Sequence, residues 1–286
     1  MGVAKVGPKT KYLLDTGERV ILEIRNLRSN GSGNQQGSVA HGQYARAKRL
    51  SGVTEEFIAE SNKTWLPPMR TQWLNGAGDA RKSPNAKGMK FVGQQDYLNS
   101  DPTHQDADND DFPSSRPKRI YEVVKITGAG VCDHLGAIAY ALCRQYLSGE
   151  YFAAWVGVSS DRVCDHTLCI TGPVASIDKI GTGTTDPSKW VIVDAWPINA
   201  KAVKYEDHFL HKDATKQIIW YIVAQGKGKQ VFSPSKMNPA ELDALKLSMA
   251  ANEKNAHYKP DYPNYNCDVL WDGDTDYELD NTILEQ

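Results

Sequence analysis

The chain has 286 residues, with 33 basic and 35 acidic side chains and a formal net charge of −2. Because neither sign of charge dominates, the composition argues against a nucleic-acid-binding protein and against a protein of the membrane surface. Hydrophobic residues make up 40% of the chain, but no apolar run approaches the roughly 20 residues that a bilayer-spanning helix needs, so we expect no membrane span.

The N-terminal region, residues 1–115, is polar and weakly periodic, so the sequence predicts no definite secondary structure for most of it. It begins without an apolar stretch, which argues against a cleaved secretory signal. A helix is predicted within residues 44–61 because Leu50, Val53, Phe57 and Ile58 recur at helical spacing. Residues 100–115 have the acidic, proline-flanked composition of a linker.

The composition changes at Arg119, and residues 116–235 are predicted to form a catalytic core. Residues 132–146 carry the i, i+3, i+4, i+7 apolar pattern of a buried helix. Short β-branched and aromatic runs predict strands at 120–126, 151–158, 167–171, 190–196 and 218–224. A helix followed by adjacent strands predicts an α+β fold, with an antiparallel sheet packed on the helix.

Residues 236–286 are predicted to form a C-terminal helix and an acidic tail. The helix is expected at 239–254, because Asn238 and Glu241 match a capping box around Pro239 at the first helical position. The sequence assigns no role to the tail that follows.

A glycine-rich turn, Thr127-Gly-Ala-Gly-Val, places Cys132 on the first turn of the predicted core helix. The thiolate is the nucleophilic form of cysteine, and a helix N-terminus stabilises negative charge. The backbone N–H of Cys132 lies where it could donate to a developing oxyanion. This pattern is typical of a nucleophile.

A nucleophilic cysteine needs a base, and the base needs a partner that orients it. His166 begins a strand-like run, Asp165-His-Thr-Leu-Cys-Ile, and Asp194 ends the apolar run Trp190-Val-Ile-Val. We therefore predict a triad of Cys132, His166 and Asp194, each on a separate element around one sheet.

Other interpretations of these residues remain open. Cys132 could be a core cysteine, and the repeated Cys-x-His pattern at Cys132 and Cys164 could bind zinc, although structural zinc sites usually use other spacings. His134 could face the site, although a solvated position is expected, and Asp194 could instead cap a turn. Trp196 either lines a cleft or packs in the core. The five cysteines are expected to be reduced thiols, with Cys143 and Cys169 in the core and no role for Cys267.

Three segments also resemble a known family. Gly130-Val-Cys-Asp-His-Leu-Gly-Ala-Ile-Ala, then Asp165-His-Thr-Leu-Cys-Ile and Val193-Asp-Ala-Trp-Pro, are similar to the transglutaminase-like branch of the papain-fold superfamily. Within it, the likeness is greatest to the HopX (AvrPphE) group of bacterial type III effectors. The resemblance implies a papain-like core, with Cys132 as nucleophile, His166 as general base and acid, and Asp194 as its orienting partner.

Together these observations predict a cysteine acyl-transfer enzyme that acts on a protein amide as a protease, a glutamine deamidase or a transglutaminase. No cofactor and no metal are expected, and the expected partner is a protein substrate, such as a host protein. The resemblance implies delivery into a host cell and action in its cytoplasm; the bacterial cytoplasm is the alternative. The competing function is a protein-binding effector module in which the cysteine is incidental.

Overall fold

A computed structural model describes residues 3–33, 41–65, 115–159, 166–180, 187–197, 199–213, 217–234, 236–253, 255 and 276–285. The predictions for Cys164, for Cys267 and for most of the 100–115 linker lie outside these residues.

The helices and strands of the described residues are numbered in the order in which they follow along the chain. These are β1 (Ala4–Val6), α1 (Pro8–Leu27), β2 (Gly31–Ser32), α2 (His41–Trp65), α3 (Ser115–Thr127), β3 (Ala129–Gly130), α4 (Cys132–Tyr146), β4 (Tyr151–Ser159), β5 (His166–Pro173), β6 (Val191–Val193), β7 (Ala202–Lys204), α5 (Phe209–Lys212), β8 (Gln217–Gln225), α6 (Pro239–Glu253) and β9 (Tyr277–Leu279).

Five strands form the main sheet, in the order β7-β6-β5-β4-β8, and every neighbouring pair is antiparallel. The helices α1 and α4 pack against one face. The opposite face carries a second apolar cluster, which includes Phe152, Ile170, Trp190 and Leu210. Burial on both faces explains why β4 is an almost continuous apolar run. The predicted α+β class with an antiparallel sheet is confirmed.

The helix α4 is the centre of the first cluster, because it contacts α1, α3, β4 and β5. Its residues 134–144 are buried on all sides. Gly136 makes the approach to β5 close: a Cβ there would lie 3.0 Å from Thr167 Oγ1 and 3.1 Å from the Thr167 carbonyl carbon. The start of α4 is therefore pressed against the start of β5, where the predicted nucleophile and base lie.

Most elements expected from the sequence are present. The strands at 151–158, 167–171 and 218–224 and the helices at 44–61, 132–146 and 239–254 are confirmed. The capping box is also confirmed, since the Glu241 N–H donates to Asn238 Oδ1 at 2.9 Å and the Asn238 N–H donates to Glu241 Oε2 at 3.0 Å. The strand predicted at 190–196 is shorter than expected and covers only Val191–Val193.

The strand predicted at 120–126 is wrong, because these residues lie in α3. Ile120, Val123 and Val124 are fully buried and stand at the i, i+3, i+4 spacing of a helix face. β-branched residues favour strands only weakly, and tertiary packing overrides that preference here.

The helix α1 was not expected from the sequence. Proline stands at its first position, and its core-facing residues recur at helical spacing: Leu13, Leu14, Gly17, Val20, Ile21 and Ile24. Polar residues between them hide the period. The division at residues 115 and 235 stays a prediction, but α1 and α2 both contribute side chains to the first cluster.

The C-terminal tail has a structural role that the sequence did not reveal. β9 pairs in parallel with β1. The Glu285 carboxylate then accepts from the N–H groups of Lys9 at 2.7 Å and Thr10 at 3.0 Å and from the Thr10 hydroxyl at 2.6 Å. Gly7, the residue before α1, has no side chain to do this, so Glu285 caps the helix in its place.

Among the described residues, none of the helices is both long and apolar enough to cross a membrane.

Gly17→Ala should destabilise the protein, although alanine is the better helix former. A Cβ at Gly17 would lie 2.6 Å from the Ala202 Cβ and 2.9 Å from Val193 Cγ2, so α1 would have to move away from β6 and β7. We expect a loss of about 1–3 kcal/mol in the free energy of unfolding, measured by urea denaturation. Gly149→Ala is the matched control, because its nearest contact would be an ordinary 3.5 Å. Equal stability of the two variants would contradict this packing.

Candidate active site

The turn before Cys132 is held by hydrogen bonds from the N-terminal elements. α3 ends at Thr127, and Gly128 follows with φ +67°, a conformation that glycine adopts without strain. Its carbonyl accepts from the Asn30 N–H at 2.8 Å, the Ala129 carbonyl accepts from the Thr54 hydroxyl at 3.0 Å, and the Gly130 carbonyl accepts from the Ser32 hydroxyl at 2.8 Å. The start of α4 therefore has a fixed position.

His134 is a buried part of this turn, not the solvated residue that the sequence predicted. It is 1% exposed, and its Nδ1 accepts the Val131 N–H at 3.2 Å. Its Nε2 lies 2.8 Å from Glu55 Oε2. Because Nδ1 accepts the Val131 N–H, His134 caps α4 and does not offer this nitrogen to a zinc ion beside Cys132.

His166 and Asp194 meet at one end of the sheet. β5 begins at His166, β6 ends at Val193, and the antiparallel register pairs Cys169 with Val193. His166 Nε2 lies 2.7 Å from Asp194 Oδ2. The two side chains are 2% and 1% exposed, so this ion pair is almost completely removed from water.

Cys132 lies beside the same histidine and completes the predicted group of three. Its side chain is close enough to the imidazole to contribute to the raised pKa of His166, and the residue is 8% exposed. Because Nε2 is engaged by Asp194, Nδ1 is the ring nitrogen that remains for the thiol. The structure thus brings together all three residues that the sequence predicted, in the order thiol, imidazole, carboxylate.

The charges of this group stabilise one another. Burial alone would lower the pKa of His166, but the Asp194 carboxylate, aided by Cys132, overrides it and raises the pKa of His166 to about 10. Burial likewise opposes ionisation of Asp194, and His166 overrides it, so the pKa of Asp194 is held well below its usual range. His166 is therefore an imidazolium at neutral pH.

Aromatic rings enclose the imidazole. The Trp196 ring centroid lies 5.1 Å from that of His166, and the Phe209 centroid lies 5.9 Å from it. Trp196 is fully buried, so it packs against the His166 ring. This decides between the two roles that the sequence left open. Low polarity around an ion pair strengthens the attraction within it.

The Asp194 turn has further partners that the sequence did not reveal. Asp194 Oδ1 accepts the Trp196 N–H at 3.1 Å, and His208 Nε2 lies 3.7 Å from Asp194 Oδ2. Arg28, just after α1, donates from Nη1 to the Trp196 carbonyl at 2.8 Å and from Nη2 to the Pro197 carbonyl at 2.9 Å. Neither Arg28 nor His208 stands in a motif, so no pattern in the sequence pointed to them.

Cys143 and Cys169 are buried core residues, as predicted. Both lie on the elements that carry Cys132 and His166, and the two thiols are close to each other. Burial raises the pKa of the Cys169 thiol well above its usual value, which keeps it unreactive.

No family model, no curated protein and no solved structure matches this chain.

The shifted pKa of His166 predicts a pH-dependent stability that requires Asp194. Between pH 6.5 and about 10 the folded chain binds a proton on His166 that the unfolded chain lacks. This contribution is therefore fully present below pH 6.5 and is lost as the pH rises through about 10. Asp194→Asn removes the counter-charge and with it this contribution. The variant should therefore be less stable than wild type below pH 6.5, and the difference in their free energies of unfolding should shrink as the pH rises toward 10.

Urea denaturation at several pH values measures that difference. Asp243→Asn is the matched control, because Asp243 is exposed on α6. Its difference from wild type in the free energy of unfolding should not vary with pH. If the difference between Asp194→Asn and wild type is also independent of pH, Asp194 does not hold the proton on His166.

Proposed function

We propose that this chain is a cysteine acyl-transfer enzyme that acts on a protein amide, with Cys132 as nucleophile, His166 as general acid and base, and Asp194 as the residue that orients His166. The observation that carries the proposal is the buried His166–Asp194 ion pair at 2.7 Å, with the Cys132 thiol beside the same imidazole. A purely structural histidine does not need a nucleophilic partner on a helix N-terminus.

The charges of the site support a definite order of steps. The Cys132 thiolate attacks the amide carbonyl and forms a tetrahedral intermediate. The His166 imidazolium gives its proton to the departing nitrogen, so that the C–N bond breaks and an acyl-thioester remains. The neutral His166 then takes a proton from the second nucleophile as it attacks the thioester. Return of the thiolate and the imidazolium restores the starting state.

The second nucleophile defines the reaction class. Water after attack on a peptide bond gives proteolysis, and water after attack on a glutamine side chain gives deamidation. An amine in place of water gives transglutamination. All three reactions use the same three residues and differ in the substrate groove, so the proposal covers the class of acyl transfer to and from a protein amide.

A papain-like core is part of the proposal. What supports it is the arrangement of the elements. The cysteine begins a buried helix, the histidine begins β5, and the aspartate directly follows β6, the antiparallel neighbour of β5, in that order along the chain. The sequence resemblance to the transglutaminase-like branch agrees with this arrangement. Action as a bacterial effector on a host protein rests on the resemblance alone.

A binding module with an incidental cysteine accounts less well for the site. Removing a carboxylate and an imidazolium from water costs several kcal/mol per ion, and only good geometry offsets that cost. A protein that needs only a recognition surface would gain more stability from apolar residues at these positions. The ion pair therefore favours the enzyme.

The first test concerns the reactivity of Cys132. At pH 7, iodoacetamide should alkylate Cys132 faster than the other cysteines, because it begins a helix beside His166, the setting in which reactive cysteines are found. Peptide mass spectrometry over a time course measures the rate at each position. His166→Ala should slow the labelling of Cys132 to the rate of an ordinary thiol of equal exposure. If Cys132 is no more reactive in the wild type than in His166→Ala, it is not an activated nucleophile.

The second test separates the three residues by single-turnover kinetics on a protein amide substrate. Cys132→Ala and His166→Ala should abolish turnover. Asp194→Asn should fall well below wild type yet retain more activity, because a pre-formed thiolate needs no proton removed during attack. In a serine protease triad, by contrast, loss of this charge costs about 10⁴ in turnover.

Cys143→Ser is the matched control for these variants. It replaces a fully buried cysteine of the same helix, so it should lower the stability while leaving turnover per folded molecule unchanged. Full turnover in Cys132→Ala would refute the proposed function.

A further inference from the structure

A second buried histidine lies beside the Asp194 carboxylate. His208 is 1% exposed, and its Nε2 lies 3.7 Å from Asp194 Oδ2. Its other ring nitrogen, Nδ1, accepts the Leu210 N–H at 3.3 Å. A nitrogen that accepts a hydrogen bond carries no proton, so the ring proton lies on Nε2, the nitrogen that is near Asp194.

The contact between His208 and Asp194 is electrostatic at this distance, since 3.7 Å is longer than a hydrogen bond. Hydrogen bonds in substrate-free active sites are often long and tighten when substrate binds. Burial raises the pKa of Asp194, and His166 and then His208 lower it, so the carboxylate responds to both rings.

His208 is held in place independently of Asp194. It caps α5 through the Leu210 N–H, and its ring centroid lies 4.2 Å from that of Phe209, the ring that also packs against His166. The turn before it is tied to the C-terminal tail, because the Tyr277 hydroxyl donates to Asp207 Oδ2 at 2.6 Å. A ring anchored in this way can serve as a fixed support for a carboxylate.

We propose that His208 is a positioning residue, which holds the Asp194 carboxylate so that His166 keeps one orientation toward Cys132. The inference rests on the proposed function of the Cys132 site. The Trp196 N–H engages one oxygen of Asp194, and His166 and His208 lie beside the other. A single orientation of the carboxylate satisfies the contacts with the Trp196 N–H, His166 and His208. Without His208, the contact with His166 would be the one that orients Oδ2.

Two variants separate this role from helix capping. In His208→Asn, the shorter side chain still accepts from the Leu210 N–H, as a good N-cap does, but it ends short of Asp194. In His208→Gln, the longer amide can place an N–H near the position of Nε2, at the expense of the cap. Circular dichroism melting monitors the fold of both variants.

Two measurements report the orientation of His166. The first is the rate of Cys132 alkylation by iodoacetamide at pH 7. It should fall by about tenfold in His208→Asn, the lower end of what loss of a supporting contact costs an active site, and stay near the wild-type rate in His208→Gln. The second is the NMR signal of the His166 Nε2–H proton, which should broaden in His208→Asn and persist in His208→Gln.

The opposite order of the two variants, or no change in either measurement for a folded His208→Asn, would mean that His208 only caps α5. If His208→Asn does not fold, His208→Gln decides, because loss of the His166 signal in a folded His208→Gln protein overturns the proposal. If wild-type Cys132 is no more reactive than an ordinary thiol, the proposed function fails. The NMR signal then still shows whether His208 holds the pair.

Discussion

The ion pair between His166 and Asp194 is the interaction on which the arrangement of the site depends. On a protein surface such a pair would contribute at most about 1 kcal/mol. Here both side chains are at most 2% exposed, so the lost hydration has to be offset by close approach and by further hydrogen bonds. The Trp196 N–H supplies one of these bonds, and the rings of Trp196 and Phe209 keep water away.

The two sides of the site are joined by the segment that follows α1. Arg28 binds the carbonyls of the turn after Asp194. Ser32, four residues later, binds the Gly130 carbonyl in the turn before Cys132. One short stretch of chain thus contacts both the turn after Asp194 and the turn before Cys132, and it lies outside residues 116–235. The catalytic core predicted from composition therefore does not contain everything that positions the triad.

Two of the three predicted site residues show their chemistry locally, whereas His166 is predicted only in combination with them. Cys132 begins a helix after a glycine-rich turn, and Asp194 ends an apolar strand. Arg28 and His208 could not be predicted in this way, since their roles arise only from tertiary contacts. The errors in secondary structure have a similar origin: the β-branched residues of α3 favour a strand locally, and packing on α4 makes them one face of a helix.

The charge state of the base also bears on the choice of nucleophile under the proposed function. With a pKa of about 10, His166 is protonated at neutral pH. It therefore cannot accept a proton from a serine hydroxyl in the resting state. A cysteine avoids this difficulty, because its thiolate can exist beside the imidazolium as an ion pair before substrate binds. His166 then acts first as an acid toward the departing nitrogen and only afterwards as a base toward the second nucleophile. The Asp194 carboxylate, which raises the proton affinity of His166 against the effect of burial, thus suits a thiol and would disable a hydroxyl.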